Sequence, residues 1–209
     1  MQVQTSTSLA RLYPKAKRRE KTARNSRCRD KIVRMTIKKI LEAIFEQDFM
    51  DTSYGFRPNR SCHDALTELD RIIMNAPVNF VVDMDISKFF DTVEHKRLME
   101  CLRQSVVDLT LLQMIGRFLK SGIMEEGMYF GAEQGTPQGG VLSPVLANVY
   151  LHYALDLWFE TEVLPQLTGF AWLVRYADDF VVCFENENEA RAFGDELRRQ
   201  MGGFGLKDI

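Results

Sequence analysis

The hydrophobic pattern of the chain predicts helices separated by a few short strands. The predicted helices cover about residues 29–48, 61–74, 94–104, 107–120, 144–160 and 187–201. Three short apolar runs, 80–86, 170–176 and 180–184, predict buried strands, and the turn-rich segment 125–140 predicts a short hairpin followed by a loop. Strands that are few and separated by helices favour an α+β fold, in which helices pack against one face of a small sheet.

Two adjacent carboxylates interrupt the last of these apolar stretches. In "RYADDFVV", Ala177, Asp178 and Asp179 form the predicted turn between the strands 170–176 and 180–184. Burying an ionised carboxylate is costly unless a partner compensates its charge. The pair therefore indicates either an exposed turn or a site for a cation.

A second acidic group follows the first predicted strand. "VVDMDISKFFD" contains Asp83, Asp85 and Asp91, and regular alternation places Asp83 and Asp85 on one face of the strand. If this strand lies beside the 170–184 hairpin, Asp85 converges with Asp178, and oxygen ligands of this kind suit Mg²⁺. Asp85 is the predicted ligand because it lies nearest the end of its strand. A cap, a turn or a salt bridge is the alternative for each acid taken alone.

The distribution of charge suggests a class of partner. The chain of 209 residues is 45% hydrophobic and 27% charged, as in ordinary globular proteins, which argues against general disorder or a coiled coil. Its net charge of -2 hides an asymmetry, because thirteen basic and two acidic residues between Arg11 and Lys39 give that segment a net charge of +11. A basic arm, residues 1–28, beside an acidic body is typical of a protein that binds a polyanion, although a solvated tail has the same composition.

The cysteine pattern and the hydropathy of the chain indicate the cellular compartment of the protein. The four Cys residues are scattered without CxxC spacing, which favours reduced thiols. The chain has no run of eighteen apolar residues, and its N-terminus lacks the apolar segment of a secretory signal. We therefore expect a cytoplasmic protein without a membrane partner.

Four blocks of sequence, taken together and in this order, resemble one protein family. They read "SYGFRPNRSCHDAL" (53–66), "DMDISKFFD" (83–91), "GTPQGGVLSPVLANVYLHYALD" (135–156) and "YADD" (176–179). They are similar to the blocks of the reverse transcriptase family, most closely those of the bacterial group II intron-encoded type (intron maturases). The resemblance runs from about Arg29 to the C-terminus.

This resemblance implies a right-hand polymerase fold with fingers and palm. Residues 29–78 match the first part of the fingers, and residues 79–209 match the palm with an inserted fingers segment at about 121–140. The match ends before the family's last palm motif and its thumb. The implied activity is RNA-directed DNA polymerisation with two Mg²⁺ ions, or Mn²⁺, as cofactors. The implied partners are an RNA template and primer, group II intron RNA and dNTPs.

The same resemblance implies roles for individual residues. Asp85, Asp178 and Asp179 match the catalytic metal ligands, and the carbonyl of Ile86 would complete the coordination of a metal. Phe90 matches the aromatic gate that excludes a ribose 2′-OH. The other nucleotide-binding candidates are Lys88 and Phe89, through backbone N–H groups, and Gln138 and Gly139 of the TPQGG segment.

Basic side chains supply the RNA-binding candidates. Arg57 and Arg60 match a block that tracks template RNA, because guanidinium groups pair with phosphates. Further candidates lie on the first helix: Arg29, Arg34 and Lys38. Residues 15–31 depart from the family, since they keep the basic charge but lack an "RPLGIP"-like block that forms part of the triphosphate grip.

Two alternatives to a polymerase stay open at this point. One is a catalytically incompetent maturase fragment that binds intron RNA without chemistry, and the other is a nucleotide cyclase built on a similar sheet. A homodimer that pairs through exposed Ile44 and Phe49 is one hypothesis for the oligomeric state. His63, His95 and His152 have no ligand spacing, so we expect them at the surface or at helix caps.

Overall fold

The computed structural model of the protein describes residues 28–120, 123–125, 128–130, 135 and 140–206. The basic arm predicted for residues 1–28 therefore lies outside the described residues, apart from the backbone of Cys28. The α-helices are α1 (Cys28–Phe45), α2 (Cys62–Asn75), α3 (Phe89–Thr92), α4 (His95–Ser105), α5 (Leu109–Lys120), α6 (Ser143–Leu151) and α7 (Glu187–Gly203). The strands are β1 (Phe80–Asp85), β2 (Ile123–Glu125), β3 (Met128–Phe130), β4 (Ala171–Tyr176) and β5 (Asp179–Phe184).

Helix α2 begins where the sequence predicts, because Ser61 caps its first turn. The Ser61 hydroxyl accepts a hydrogen bond from the backbone N–H of Asp64 (3.3 Å), and the Asp64 carboxylate accepts one from the N–H of Ser61 (2.7 Å). This reciprocal capping box satisfies two backbone donors that the start of a helix leaves unpaired. The helix buries Ala65 and Ile72 and packs against β4.

Helix α6 forms the centre of the molecule. All of its residues except Pro144 are buried, as expected for a helix that is apolar around its circumference. The chain continues from it through π-helical turns (His152–Asp156 and Phe159–Val163) and a 3₁₀ turn (Leu164–Gln166), so the helical segment ends later than predicted. Of the helices that the structure describes, none is long and apolar enough to cross a membrane.

Strands β1, β5 and β4 form an antiparallel sheet in that order. The first predicted strand therefore lies beside the hairpin, as the acidic groups suggested. Burial alternates along β1: Val81, Asp83 and Asp85 are exposed, and the residues between them pack against the hydrophobic core. Helix α7 packs against β1 and β5. Strands β2 and β3 form a short separate hairpin, which begins two residues before the turn-rich segment 125–140 in which it was predicted.

Several side chains predicted at the surface are buried. Phe49 is only 8% exposed and Ile44 is half-buried against the core, so neither offers the contact surface suggested for a homodimer. Of the histidines, His63 alone is exposed. His95 and His152 are buried, and His152 packs edge-on against the ring of Phe49. Ile44, His95 and His152 lie on the buried sides of their helical segments, and Phe49, which follows α1, packs against the rings of Phe45 and His152.

Candidate active site

A two-residue turn joins β4 to β5 and carries Asp178. Tyr176 pairs with Asp179 across the hairpin, so only Ala177 and Asp178 lie between the strands. Ala177 has a left-handed backbone conformation, with φ of 60°, as tight two-residue hairpins require at the first central position. Asp179 is therefore the first residue of β5, and the turn is one residue shorter than predicted.

Asp85 lies directly opposite Asp179 in the β1–β5 pair. Residues that oppose each other in this way project from the same face, typically with Cβ atoms about 4.5–5.5 Å apart. Asp83 shares this face because it lies two residues earlier in β1. Asp85 and Asp179 are exposed, and Asp178 is half-buried at the adjoining turn. The three carboxylates named from the sequence thus lie at one end of the sheet.

These carboxylates disfavour one another's ionised form. Burial raises the pKa of Asp178, the negative charge of Asp85 raises it further, and a backbone hydrogen bond and the charge of Arg175 act in the opposite direction. The pKa of Asp179 is raised by burial first and then by the charges of Asp178, Asp85 and Asp83. Without a cation, the ionised site is therefore held at an electrostatic cost.

We expect Asp178→Asn to stabilise the chain slightly when divalent cations are absent. A carboxyl group with a raised pKa contributes stability that is fully present below its unfolded-state pKa and is lost as the pH rises through the folded-state pKa. The variant has no charge at this position and avoids this loss. Because solvent screens the repulsion at this half-buried site, its free energy of unfolding at about pH 8 should exceed that of the wild type by only about 0.5 kcal/mol, which raises Tm by ~1–2 °C.

Thermal unfolding in EDTA measures this effect. The gain should disappear near about pH 2.5, well below the ordinary aspartate pKa of about 3.9, where the wild-type carboxyl is protonated in both states. A wild type that melts above the variant at about pH 8 in EDTA would contradict the repulsion described here.

The donor set at this end of the sheet fits a hard divalent cation such as Mg²⁺, which prefers oxygen ligands. Within the part of the chain that the structure describes, no three His, Cys, Asp or Glu side chains form a group that holds a metal ion by itself. This is compatible with Mg²⁺, which commonly binds one or two carboxylates and completes its shell with water and substrate phosphates. The residues present therefore fit an open site rather than a closed protein cage.

The segment that follows β1 bends sharply beside these acids. Lys88 has a left-handed backbone, with φ of 52°, and precedes α3. The N–H of Phe89 donates a hydrogen bond to the carbonyl of Ile86 (3.2 Å), and the contact of this N–H with a triphosphate stays a prediction. The Ile86 carbonyl keeps a second lone pair for a cation. Phe90 is half-buried, with its ring edge-on to that of Phe89 at 5.5 Å between centroids.

Gly135 fixes the start of the GTPQGG segment beside the same bend. Its N–H donates to the carbonyl of Val93 (2.8 Å), and its own carbonyl oxygen lies 2.6 Å from Nε2 of His95. Gly135 has φ of 84°, and a Cβ there would lie 3.0 Å from the carbonyl oxygens of Phe90 and Asp91, so only glycine suits this position. Gln138 and Gly139, predicted to contact the nucleotide, lie outside the described residues.

Residues 13–207 match the sequence model of the family described as "Reverse transcriptase (RNA-dependent DNA polymerase)". The chain belongs to the reverse transcriptase family. The resemblance stated from the four sequence blocks is therefore confirmed. The matched region contains both acidic strands of the site.

Curated relatives of this chain include proteins of group II introns. The Group II intron-encoded protein LtrA of Lactococcus lactis subsp. cremoris is 39% identical over 145 residues, which cover 66% of this chain and 24% of LtrA. Protein YkfC of Escherichia coli (strain K12) is 31% identical over 204 residues, which cover 84% of this chain and 54% of YkfC. The chain thus spans a quarter of one relative and about half of the other, and the predicted similarity to group II intron-encoded proteins is confirmed.

Solved structures with a similar fold include two yeast telomerases. Telomerase from Candida albicans, in complex with a TWJ fragment of telomeric RNA, superposes with a TM-score of 0.61 at 13% identity, over 83% of this chain and 33% of that one. Apo telomerase from Candida tropicalis, truncated from its C-terminal domain, gives 0.60 at 15% identity, over 84% of this chain and 38% of that one. At such identities the likeness establishes the fold, which is that of the fingers and palm of a right-hand polymerase.

One of the RNA-binding candidates is buried inside the protein. Arg57 is 7% exposed, and its guanidinium donates hydrogen bonds to the Glu46 carboxylate (2.8 Å) and to the carbonyl oxygens of Met50 (2.6 Å) and Ser53 (2.8 Å). The group also lies 5.4 Å from the centre of the Phe49 ring. The prediction that Arg57 contacts RNA therefore does not agree with the structure. Its contacts instead fix the loop that contains Ser53.

Arg60 is the more accessible arginine of the same block. Its guanidinium lies over the ring of Tyr54, 5.2 Å from the ring centre, and pairs with the exposed carboxylate of Asp51. A half-buried arginine on an aromatic ring keeps a fixed direction while part of its fork remains accessible. Arg60 therefore remains an RNA-binding candidate.

The basic candidates on α1 differ in their surroundings. Arg29 is exposed. Lys38 pairs with Glu42 at 3.1 Å. Arg34 lies 5.0 Å from the centre of the Phe118 ring, and its buried Nε has no hydrogen-bond partner among the described residues. Arg34 and Lys38 are about one turn apart and lie on the same side of α1, whereas Arg29, nine residues before Lys38, lies on the opposite side.

An arginine that the sequence-based prediction missed lies beneath the hairpin. Arg175 is 0% exposed, and its guanidinium makes a two-point ion pair with Asp156, with Nε 2.7 Å from Oδ1. It also donates to Oδ1 of Asn148 (3.1 Å), the carbonyl of Ala177 (2.9 Å) and Oγ of Ser53 (2.7 Å). The signal in the sequence is the arginine inside the apolar strand "AWLVRY", since such a charge needs buried partners.

Proposed function

We propose that the chain is an RNA-directed DNA polymerase of the group II intron type. The observation that carries this proposal is the register of β1 and β5, with Asp85 opposite Asp179 and next to the turn residue Asp178. Membership of the reverse transcriptase family and the similarity to LtrA support the same chemistry.

The carboxylates of Asp85, Asp178 and Asp179 would hold two Mg²⁺ ions, or Mn²⁺, with the Ile86 carbonyl as a further ligand. When bound, the ions would activate the attacking primer oxygen and stabilise the leaving pyrophosphate. The protein contributes a rigid strand pair that fixes these negative charges before the substrate arrives, so little rearrangement is needed during the reaction. The mutual repulsion of the acids favours a cation over any neutral ligand.

Other residues would orient the incoming nucleotide so that its α-phosphate faces the primer 3′-oxygen. The Phe90 ring packs edge-on against the buried Phe89, which restricts its motion and suits it to exclude a 2′-OH. The backbone of Lys88 and the segment with Gln138 and Gly139 would approach the triphosphate and the nucleotide. Such orientation of two reactants supplies a large share of the rate enhancement in reactions of this kind.

Template, primer and intron RNA would bind to basic side chains of the N-terminal part. In this proposal, residues 1–28 are a basic arm, 29–78 the first part of the fingers, and 79–209 the palm with the inserted segment 121–140. The phosphate-binding side chains would be Arg60, Arg29, Arg34 and Lys38. Because their binding neutralises phosphates, affinity for RNA should fall steeply as the salt concentration rises.

Primer extension tests the proposal. A DNA primer annealed to an RNA template, with dNTPs and Mg²⁺, should be extended to products complementary to the template, and EDTA should stop the reaction. A parallel incubation with ATP and GTP but no template would reveal a cyclic product if the chain were a nucleotide cyclase. RNA binding without extension would contradict the polymerase and support the alternative, a maturase fragment that binds RNA without chemistry.

We expect Phe90→Ala to relax the selection of deoxynucleotides. Removing the ring opens space for a 2′-OH, so the ratio of rNTP to dNTP incorporation should rise about 10–100-fold, the usual range for a steric pocket contact. Single-nucleotide incorporation with matched dNTP and rNTP measures the ratio, and dNTP incorporation by the same variant is its internal control. An unchanged ratio would remove Phe90 from the nucleotide site.

A further inference from the structure

Residues 52–56 lie along the free edge of the catalytic hairpin. The backbone N–H of Tyr54 donates to the carbonyl of Arg175 (2.9 Å), and the N–H of Arg175 donates to the carbonyl of Thr52 (2.9 Å). Ser53 and Arg175 thereby form a parallel bridge. Because β4 is an outer strand of its sheet, these bonds give the hairpin a partner on the side that faces away from β5.

Gly55 brings this loop into direct contact with the turn of the hairpin. A Cβ at Gly55 would overlap the backbone nitrogen of Ala177 and lie 2.9 Å from its Cα and 3.0 Å from the carbonyl carbon of Tyr176. Real Cβ atoms do not approach backbone so closely, so any side chain at residue 55 would push the turn away. The turn that carries Asp178 therefore has its position set partly by the absence of a side chain at Gly55.

Buried hydrogen bonds also join this loop to the turn of the hairpin on the core side of the sheet. The Arg175 guanidinium joins the carbonyl of Ala177 in the turn to Oγ of Ser53 in the loop. Asn148 on α6 accepts from Arg175 (3.1 Å) and donates from Nδ2 to the carbonyl of Gly55 (2.7 Å). We call the set Ser53, Gly55, Asn148 and Arg175 the bracket.

We propose that the bracket is a positioning device that holds the β4–β5 turn, and with it Asp178, in register with Asp85. Strand alternation places Arg175 on the face opposite to Asp179, so its side chain supports the turn from the core and is not itself a ligand at the acidic end. Such support is needed because the carboxylates on the outer face repel one another. The catalytic part of this inference rests on the proposed polymerase function, whereas the mechanical part does not.

Gly55→Ala tests the bracket, with Gly116→Ala as the matched control. Gly116 lies in α5, and a Cβ there would meet no atom within 4 Å, so the control adds the same methyl group without displacing anything. For Gly55→Ala, hydrogen exchange of the amides in 176–180 should become about tenfold faster or more, because the turn loses its fixed packing. In primer extension, kcat should fall about 10²-fold, the usual effect of misplacing a reacting group by about 1 Å.

Comparing kcat with the Kd for primer–template distinguishes a positioning effect from a general loss of structure. The Kd for primer–template should stay within about twofold of wild type, while the Mg²⁺ concentration for half-maximal rate rises, because only interactions at the reacting centre are displaced. Exchange and kcat that match Gly116→Ala would overturn the proposal. Faster exchange with unchanged kcat would also overturn it, since the turn would then move without consequence.

A second variant and a second readout apply if Gly55→Ala does not fold or if the wild-type chain is inactive. If Gly55→Ala does not fold, Ser53→Ala removes only the hydroxyl that accepts from Arg175, and we expect faster exchange in 176–180 and kcat lower by about 3–10-fold. Wild-type values of both quantities in Ser53→Ala would overturn the bracket. If the wild-type chain extends no primer, the polymerase proposal fails, and hydrogen exchange alone then decides whether the bracket holds the turn.

Discussion

Asp178→Ala should abolish DNA synthesis and leave RNA binding intact. Asp178 lies at the turn beside Asp85, where burial and the charge of Asp85 raise its pKa, and in the proposed polymerase it is a ligand of the catalytic cations. Removing one preorganised charge from such a site typically costs about 10²–10³-fold in rate. Primer extension on an RNA template measures the loss, and fluorescence anisotropy with labelled RNA at one fixed salt concentration measures binding.

Asp195→Ala is the matched control for this experiment. Asp195 lies on α7, its side chain is 82% exposed, and it pairs with Arg198 at 3.2 Å on the surface. The control removes the same charge from the same kind of side chain, so nonspecific effects of net charge on RNA binding are common to both variants. Equal incorporation by wild type and Asp178→Ala would end the metal-site interpretation. Loss of RNA binding in Asp178→Ala but not in Asp195→Ala would show that Asp178 supports the fold instead.

The acidic end of the sheet could be predicted because its signals are local. Each acid is adjacent to an apolar run, and the alternation along β1 and the short hairpin are properties of a few consecutive residues. The start of α2 could be predicted for the same reason, since Ser61 and Asp64 form the cap within a single turn. Local patterns could not decide the pairing of β1 with β5, which the acidic groups suggested only as the condition under which Asp85 and Asp178 converge.

The roles of the buried arginines could not be read from local pattern. Arg57 lies within one of the four sequence blocks and Arg175 directly precedes another, which would suit exposed side chains, yet both are buried. Arg57 pairs with Glu46, eleven residues away, and Arg175 contacts Ser53, 122 residues away. Such partners are known only once the chain is folded. The family resemblance therefore places Arg57 near RNA phosphates, although Glu46, Met50 and Ser53 already accept the hydrogen bonds of its guanidinium.

The two faces of the β4–β5 hairpin carry charges of opposite sign. The outer face carries acidic side chains, and the inner face carries a buried arginine that supports the turn. Asp85 and Asp179 share the outer face, and Arg175 occupies the inner one beside Asn148 and Asp156. Because Asp156 neutralises Arg175 inside the protein, little of the arginine's charge is available to compensate the outer carboxylates. The acidic end therefore stays negatively charged, as the proposed cation site requires, while Arg175 holds the turn from the core side.

Asp156→Ala should destabilise the chain by about 3–5 kcal/mol, because it leaves the Arg175 guanidinium buried without its counter-charge. Both side chains of this pair are 0% exposed, and Arg175 donates to both carboxylate oxygens of Asp156. Since a domain of this kind is stable by only about 5–15 kcal/mol, the variant should unfold at a much lower denaturant concentration. Equilibrium unfolding in urea, followed by circular dichroism, measures the change.

Glu187→Ala is the control, because Glu187 and Arg191 form an ion pair at 2.8 Å whose side chains are 52% and 77% exposed. Solvent screens this pair, so its loss should cost only about 0.3–0.5 kcal/mol. Equal losses in the two variants would show that water reaches Arg175 and that the pair is not a buried one. Asp156→Asn refines the result, since it keeps the shape of the side chain and removes the charge. A loss close to that of Asp156→Ala would assign the stability to the charge, and a small loss would assign it to packing and hydrogen bonding.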